Sequence, residues 1–232
     1  MAEVTQGIIL DIDGTLIDSN DAHARAWLQA LRENGITIDY KTVRDKIGMG
    51  GDKLLPDVAH ISVDSPLGKK IDQRKNEIFR KDYFPHLRPF PYAQQLIERL
   101  HASGLKLVVA SSSSREDLDA LLRKIGIADL IFASTSASDA EESKPAPDIV
   151  EAALHKAELR PHAAIMIGDT PYDISSAHQA HVPTIALTCG GWSRDELHDA
   201  EAVFASPKEL FEKIKSFSLE EIPETLSSFI GH

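Results

Sequence analysis

Residues 8–19 read Ile8-Ile9-Leu10-Asp11-Ile12-Asp13-Gly14-Thr15-Leu16-Ile17-Asp18-Ser19, or "IILDIDGTLIDS". Three apolar residues run into an acid, a second acid follows two positions on, and a glycine comes next. Two carboxylates crowded at the end of a buried strand repel, so one is protonated or both are relieved by a cation. The plain alternative is an ordinary Asp-Gly turn in water. Asp11, at the strand end, is a candidate nucleophile or metal ligand. Asp13 lies past a turn that Gly14 eases.

Outward from this stretch the same design repeats. Gly7–Ile12 is apolar and ends at the acids. "KLVVA" (Lys106–Ala110) ends at "SSSS", and "LIFA" (Leu130–Ala133) at "STSASD". "AAIMI" (Ala163–Ile167) ends at "GDTPYD", and "TIAL" (Thr184–Leu187) at "TCGG". Continuous apolar runs fit strands covered on both faces. Between them the spacing is helical. Leu118, Leu121, Leu122 and Ile125 form one stripe, closed by Gly126. Leu96, Ile97 and Leu100 form another, ahead of Gly104. The alternation predicts an α/β fold, an open parallel sheet wrapped by helices.

One block breaks the alternation. Between Asp18 and Leu87 no buried-strand run occurs, and helices are expected over Ala22–Asn34, Asp52–His60 and Pro66–Tyr83. This predicts a core of residues 1–17 and 88–232 with a helical insertion at 18–87. Hinges fall near Ile17–Asn20 and Pro85–Pro91, where Pro85, Pro89 and Pro91 stiffen the re-entry.

In such sheets ligands bind beyond the carboxyl ends of the strands, and polar residues stand at each. Ser111 follows a buried strand and offers a hydroxyl and backbone N–H groups to a phosphate oxygen. A polar cap with Ser114 as N-cap explains the same serines. In "SKPAPD", Lys144 stands before stiffening prolines and suits balancing two anions, although lysines are usually solvated. "GDTPYD" offers Asp169 and Asp173. Oxygen ligands from a few acids suit Mg²⁺ better than zinc, while Asp173 also complements a helix N-terminus.

The formal net charge is −11 across 232 residues, 42% of them hydrophobic. That balance excludes a nucleic-acid backbone or an anionic membrane as the main partner. An anionic ligand must then be drawn in by a local cation. Cys189 is the one cysteine, so no intrachain disulfide forms and a reducing compartment is favoured. "MAEVTQG" lacks the character of a signal peptide, and no apolar run reaches membrane-spanning length. A cytoplasmic protein is expected.

With these residues in this order, the sequence resembles the haloacid dehalogenase-like superfamily up to about residue 217. Within it the sequence resembles phosphatases with a helical cap inserted after the first strand, the phosphoglycolate phosphatase and β-phosphoglucomutase-like subgroup. The motif DxDGT[LV] is matched by Asp11-Ile12-Asp13-Gly14-Thr15-Leu16 and the strand-end hydroxyl by Ser111. The lysine before proline is matched by Lys144, and GDxxxD by Gly168-Asp169-Thr170-Pro171-Tyr172-Asp173. The resemblance implies a Rossmann-like doubly wound parallel sheet core with an inserted α-helical cap. It implies that Asp11 attacks phosphorus to form an aspartyl-phosphate and that Asp13 acts as acid, then base. Mg²⁺ would be held by Asp11, the backbone carbonyl of Asp13, and Asp169, with Asp173 assisting. Ser111, Ser112 and Lys144 would position the phosphoryl oxygens.

"DAHARAW" resembles the first cap helix of this group, with His23 facing the site. "KIGMGGDKLL" resembles its substrate-specificity loop, bringing Gly50 and Lys53, and "QRKNEIF" brings Lys75. For His23, Lys53 and Lys75 a solvated helix position is the plain alternative. The implied reaction is Mg²⁺-dependent hydrolysis of a small phosphorylated metabolite, a sugar phosphate or a phosphoglycolate-like ester, by a monomer or homodimer. A β-phosphoglucomutase-type mutase is the alternative. Two departures disfavour it: Gly168-Asp169 where such mutases carry Glu-Asp, and no arginine around Gly50–Lys53. A non-catalytic phosphate-binding regulatory module should lack one of Asp11, Asp13, Lys144 or Asp169, and a phosphoacceptor receiver domain is shorter.

Overall fold

β1 (Gly7–Leu10) lies at the centre of a six-stranded sheet in the computed structural model, which describes residues 4–231. The other strands are β2 (Lys106–Ala110), β3 (Ala133–Thr135), β4 (Ala164–Gly168), β5 (Thr184–Leu187) and β6 (Ala202–Phe204). All pairs are parallel, in the order β3-β2-β1-β4-β5-β6. The chain leaves β1 toward one edge through β2 and β3, then returns to build the other edge from β4. The topological switch therefore falls between β1 and β4, where a ligand crevice opens beyond the strand ends. β1, β4 and β5 are buried throughout, as continuous apolar runs require.

Helices α5 (Ala93–Ala102), α6 (Arg115–Ile125), α7 (Asp148–Ala157), α8 (Pro171–Gln179) and α9 (Pro207–Ile214) cover the sheet. Their limits follow local chemistry. Ser114 accepts the Asp117 N–H at the start of α6, and Gly126 ends it at φ 84°. Thr170 and Asp173 cap the start of α8 reciprocally. The last described helix, α10 (Ile222–Phe229), packs onto the core through Ile222 and Leu226, and Thr5 Oγ1 lies 2.8 Å from Ser227 Oγ. Of the C-terminal segment 218–232, His232 lies outside the described residues.

Between β1 and α5 stand α1 (Asn20–Glu33), α2 (Tyr40–Arg44), α3 (Gly51–Ala59) and α4 (Pro66–Ile78). A π-helical turn (Phe79–Tyr83) and a 3₁₀ turn (Phe84–His86) follow, with no strand in the block. The chain's entry into and exit from this block pair with each other. Asp18 N–H donates to the Arg88 carbonyl (3.0 Å) and Phe90 N–H to the Leu16 carbonyl (2.9 Å). Among the described residues no helix is long and apolar enough to cross a membrane.

Several boundaries differ from the sequence expectation. β1 stops at Leu10, because the Ile12 carbonyl accepts the N–H groups of Thr15, Leu16 and Ile17 in a tight turn. "LIFA" is not a strand until its last residue. Ala128–Leu130 makes a 3₁₀ turn, Leu130 and Ile131 pack toward the helices, and Phe132 is 59% exposed. Helix α4 gives way to the π turn at Phe79. β6 and α2, too short for a periodic signal, were not expected.

Candidate active site

Asp11 leaves the end of β1 and is 7% exposed, and Asp169 leaves the neighbouring β4 fully buried. Asp173, on the first turn of α8, closes the group. The three carboxylates each offer an oxygen within 4.8 Å of the others. Lys144 lies in the loop between β3 and α7 and is 1% exposed, not a surface lysine. Its ammonium donates to Asp11 Oδ1 and Asp173 Oδ1 (both 2.7 Å) and to the Ala110 carbonyl (2.9 Å). Asp173 Oδ2 also accepts the Thr170 N–H and hydroxyl.

This cluster holds three acids against one ammonium. Burial pushes the Asp11 carboxyl up to about 7 despite Lys144, and Asp173 and Asp13 add to the rise. Burial, then the charges of Asp11 and Asp173, push Asp169 well above the usual carboxylate range, against hydrogen bonds from Thr15 and Asn20. Burial opposes the Lys144 charge, but Asp11 and Asp173 outweigh it and hold the ammonium above its ordinary range. Thr15 Oγ1 sits 2.9 Å from Asp11 Oδ2 and 2.8 Å from Asp169 Oδ1. A hydroxyl has one proton, so it satisfies only one of these oxygens at a time. The buried Asn20 gives its amide N–H₂ to Asp169 Oδ2 (2.8 Å) and the Gly190 carbonyl (3.0 Å), while its own Oδ1 has no partner. A Cβ on Gly190 would stand 1.7 Å from Asp169 Oδ2, so only glycine leaves this side open.

The cluster is suited to a cation. Oxygen donors, excess negative charge and an unanswered carboxamide oxygen fit a hard divalent ion such as Mg²⁺. The side chains placed to hold one are Asp11, Asp169 and Asp173. The Asp13 carboxylate is not part of that group.

Asp13 belongs to a second, separate set. Ser19 Oγ donates to its Oδ1 (2.6 Å), Ser113 Oγ to its Oδ2 (2.9 Å), and His23 Nε2 lies 3.0 Å from Oδ1. Burial alone would raise this carboxyl. The His23 imidazole and the hydrogen bonds from His23, Ser19 and Ser113 outweigh burial and hold it well below the usual carboxylate range. His23, on α1, is stacked on Phe79 with ring centroids 3.9 Å apart and an 11° interplanar angle. It is therefore aimed at Asp13 rather than solvated.

After β2, Ser111 is 1% exposed and its hydroxyl accepts the Ser113 N–H (3.1 Å), while the Ser112 hydroxyl is buried without a partner. These serines, Asp11, Asp13 and His23 line a pocket of about 350 Å³. The helical block supplies its far walls, including Trp27, Gly50, Asp72 and Lys75. Lys75 Nζ lies 5.4 Å from the Trp27 ring centroid and 5.6 Å from that of Phe79. Burial holds this ammonium below its ordinary range, against Asp72, Asp13 and Asp117. Gly50 N–H donates to Ser143 Oγ (3.0 Å).

Lys53 departs from expectation. It does not line the pocket, because its ammonium is taken by Glu142 Oε2 at 2.5 Å on the outer face. Cys189 lies beside the site, Sγ 3.4 Å from the Gly14 carbonyl, and burial first, then Asp169, push its thiol far up. It is no activated thiolate. Sequence reading missed Thr15, Ser19, Asn20 and Ser113. The first two lie inside or beside the opening motif, but their partners become visible only in three dimensions.

Comparison with known proteins adds a lineage. Residues 8–187 match the family model described as haloacid dehalogenase-like hydrolase. A phosphoglycolate phosphatase of Aquifex aeolicus is 30% identical over 222 residues, covering 92% of this chain and 98% of that protein. Protein SUPPRESSOR OF QUENCHING 1, chloroplastic, of Arabidopsis thaliana is 29% identical over 93% of this chain, which spans only 20% of that protein's length. A solved hydrolase from Pseudomonas syringae superposes with a TM-score of 0.84 at 25% identity, covering 92% of this chain and 99% of that one. A β-phosphoglucomutase from Clostridium difficile superposes with a TM-score of 0.78 over 98% of this chain and all of that one. At 19% identity that second likeness speaks to the fold alone.

Proposed function

The chain belongs to the haloacid dehalogenase-like hydrolases, and from that premise we propose that it is a Mg²⁺-dependent phosphatase of small phosphomonoesters working through an aspartyl-phosphate. One observation carries the reading: Asp11 and Asp13, two residues apart, are held in separate hydrogen-bond sets. Asp11 faces Lys144 and Thr15, whereas Asp13 faces His23, Ser19 and Ser113. Two adjacent acids with different partners suit two different jobs.

In this reading Asp11 Oδ attacks phosphorus in line and the P–O bond to the alcohol breaks. Ser111, Ser112 and Lys144 hold the phosphoryl oxygens. Asp13 gives the departing alcohol its proton and then takes one from the water that hydrolyses the acyl phosphate. The low-lying carboxyl leaves Asp13 ionised, the form from which the second half starts. The arriving dianionic ester places negative charge beside it and raises its affinity for a proton, which suits the first. Asp11, Asp169 and Asp173, with the backbone carbonyl of Asp13, would hold Mg²⁺. When bound, the ion neutralises charge on the phosphoryl oxygens and on the attacking carboxylate. The 18–87 block serves as a cap that closes the pocket and excludes water.

The test is hydrolysis of a phosphomonoester panel with and without Mg²⁺. Activity should require the ion, and Asp11→Asn should lower kcat by roughly a thousandfold or more, as removal of a covalent nucleophile does. Metal-independent turnover, or turnover that survives Asp11→Asn, would sink the mechanism.

A further inference from the structure

The pocket's lining carries a charge pattern that the phosphoryl chemistry does not use. Its walls include Asp52, Asp72, Glu141 and Asp117, with Lys75 and the indole of Trp27. Asp117 is neutralised by Arg80, whose Nε lies 2.6 Å from Asp117 Oδ1. Asp52, Asp72 and Glu141 make no ion pair among the described residues. Asp52 Oδ2 accepts the Ser143 N–H (3.2 Å), and Asp72 Oδ2 the Asn76 amide (3.2 Å).

Three acids without an ion pair thus line the pocket against one ammonium, and Lys75 stands in the field of Asp72, Asp13 and Asp117 at once. Among the described residues no arginine lines the pocket, Arg80 is committed to Asp117 and Glu116, and Lys53 is committed to Glu142. Carboxylates accept hydrogen bonds from hydroxyl groups, and the Trp27 face suits C–H surface. A second anionic group would shed its water among carboxylates and gain only a shared ammonium.

Resting on the phosphatase reading above, we propose that the substrate is a phosphomonoester whose remaining body carries hydroxyl groups and no second anionic group. Phosphoglycolate, named for the Aquifex aeolicus relative, bears a carboxylate and falls outside this class. Bisphosphates, which a sugar-phosphate mutase must accept, fall outside it too.

Two matched pairs test the assignment: 2-hydroxyethyl phosphate against 2-phosphoglycolate, and fructose 1-phosphate against fructose 1,6-bisphosphate. With the full chain and Mg²⁺, kcat/KM should favour the first member of each pair by at least about tenfold, the scale of one or two partly screened charges. Asp72→Asn and Asp52→Asn should each narrow that ratio severalfold. Equal or better use of phosphoglycolate, or a ratio unmoved in both variants, overturns the inference. To separate this from failure of the phosphatase reading, the same four esters are bound to Asp11→Asn and ranked by calorimetry. Absence of turnover on every ester overturns the hydrolytic reading. A reversed order in binding overturns the substrate class.

Discussion

Asn20 is the first residue of α1, yet its amide reaches Asp169, just past the end of β4. Its contact fixes one oxygen of a carboxylate placed to hold a metal. Partners of this kind, bonded to a ligand rather than to the ion, typically change metal affinity by about 10- to 100-fold when removed. Asn20→Ala should weaken Mg²⁺ binding on that scale, read without substrate from the Mg²⁺ dependence of the melting temperature. An unchanged dependence would show that Asp169 needs no such hold. The contrast between Asn20 and Asp11 also shows what sequence reveals. Asp11, Asp13 and Gly14 are contiguous, and their spacing alone brings two acids to one strand end. Asn20 and Ser113 act on residues 149 and 100 positions away, so no local pattern marks them. Lys53 is the converse case: the resemblance of "KIGMGGDKLL" to a substrate-specificity loop makes it a candidate for the pocket, and Glu142, 89 residues on, takes its ammonium instead.

At the scale of elements, α6 carries the pocket-lining serine loop at its N-terminus, so its caps bear on the site. Ser114 both accepts the Asp117 N–H and bonds the Asp117 carboxylate. Ser114→Ala should cost about 1 kcal/mol in urea unfolding, the usual loss for an N-cap. Gly126→Ala should cost about 1–2 kcal/mol, because φ 84° there disfavours any side chain. No change in either variant would mean that packing alone fixes the helix. Legibility differed among elements for physical reasons. The central strands have neighbours on both faces, so their composition is forced to be apolar and can be read. The edge strands β3 and β6 pair on one side only. Their three residues leave no period to detect.

At the scale of the whole molecule, the sheet brings charges from distant parts of the chain to one crevice and leaves them in excess. A cation that binds the folded state alone adds stability by mass action, about 2.7 kcal/mol at a hundred times its dissociation constant. For a chain of this length that raises Tm by about 5–10 °C. Mg²⁺ should produce such a rise in the wild-type chain and almost none in Asp169→Asn. Equal rises in both would place the ion elsewhere. The doubly wound order was legible as a class from alternating apolar and helical segments. The order β3-β2-β1-β4-β5-β6 was not, because sequence gives the succession of strands and not their neighbours.

The paired crossings at Leu16–Asp18 and Arg88–Phe90 have a further consequence. They act as a stem that fastens both ends of the 18–87 segment to each other, so the sheet meets that segment as a closed loop rather than as a tether. The entropy of closing a loop grows by only about 0.6 kcal/mol for each doubling of its length. Lengthening, shortening or rewriting the helices beyond the stem therefore reaches the sheet through the side chains that cross to it, Asn20, His23, Arg44 and Arg80 among them, and through the apolar cluster the two share. Changes in the helices away from those crossing contacts should therefore cost the sheet little.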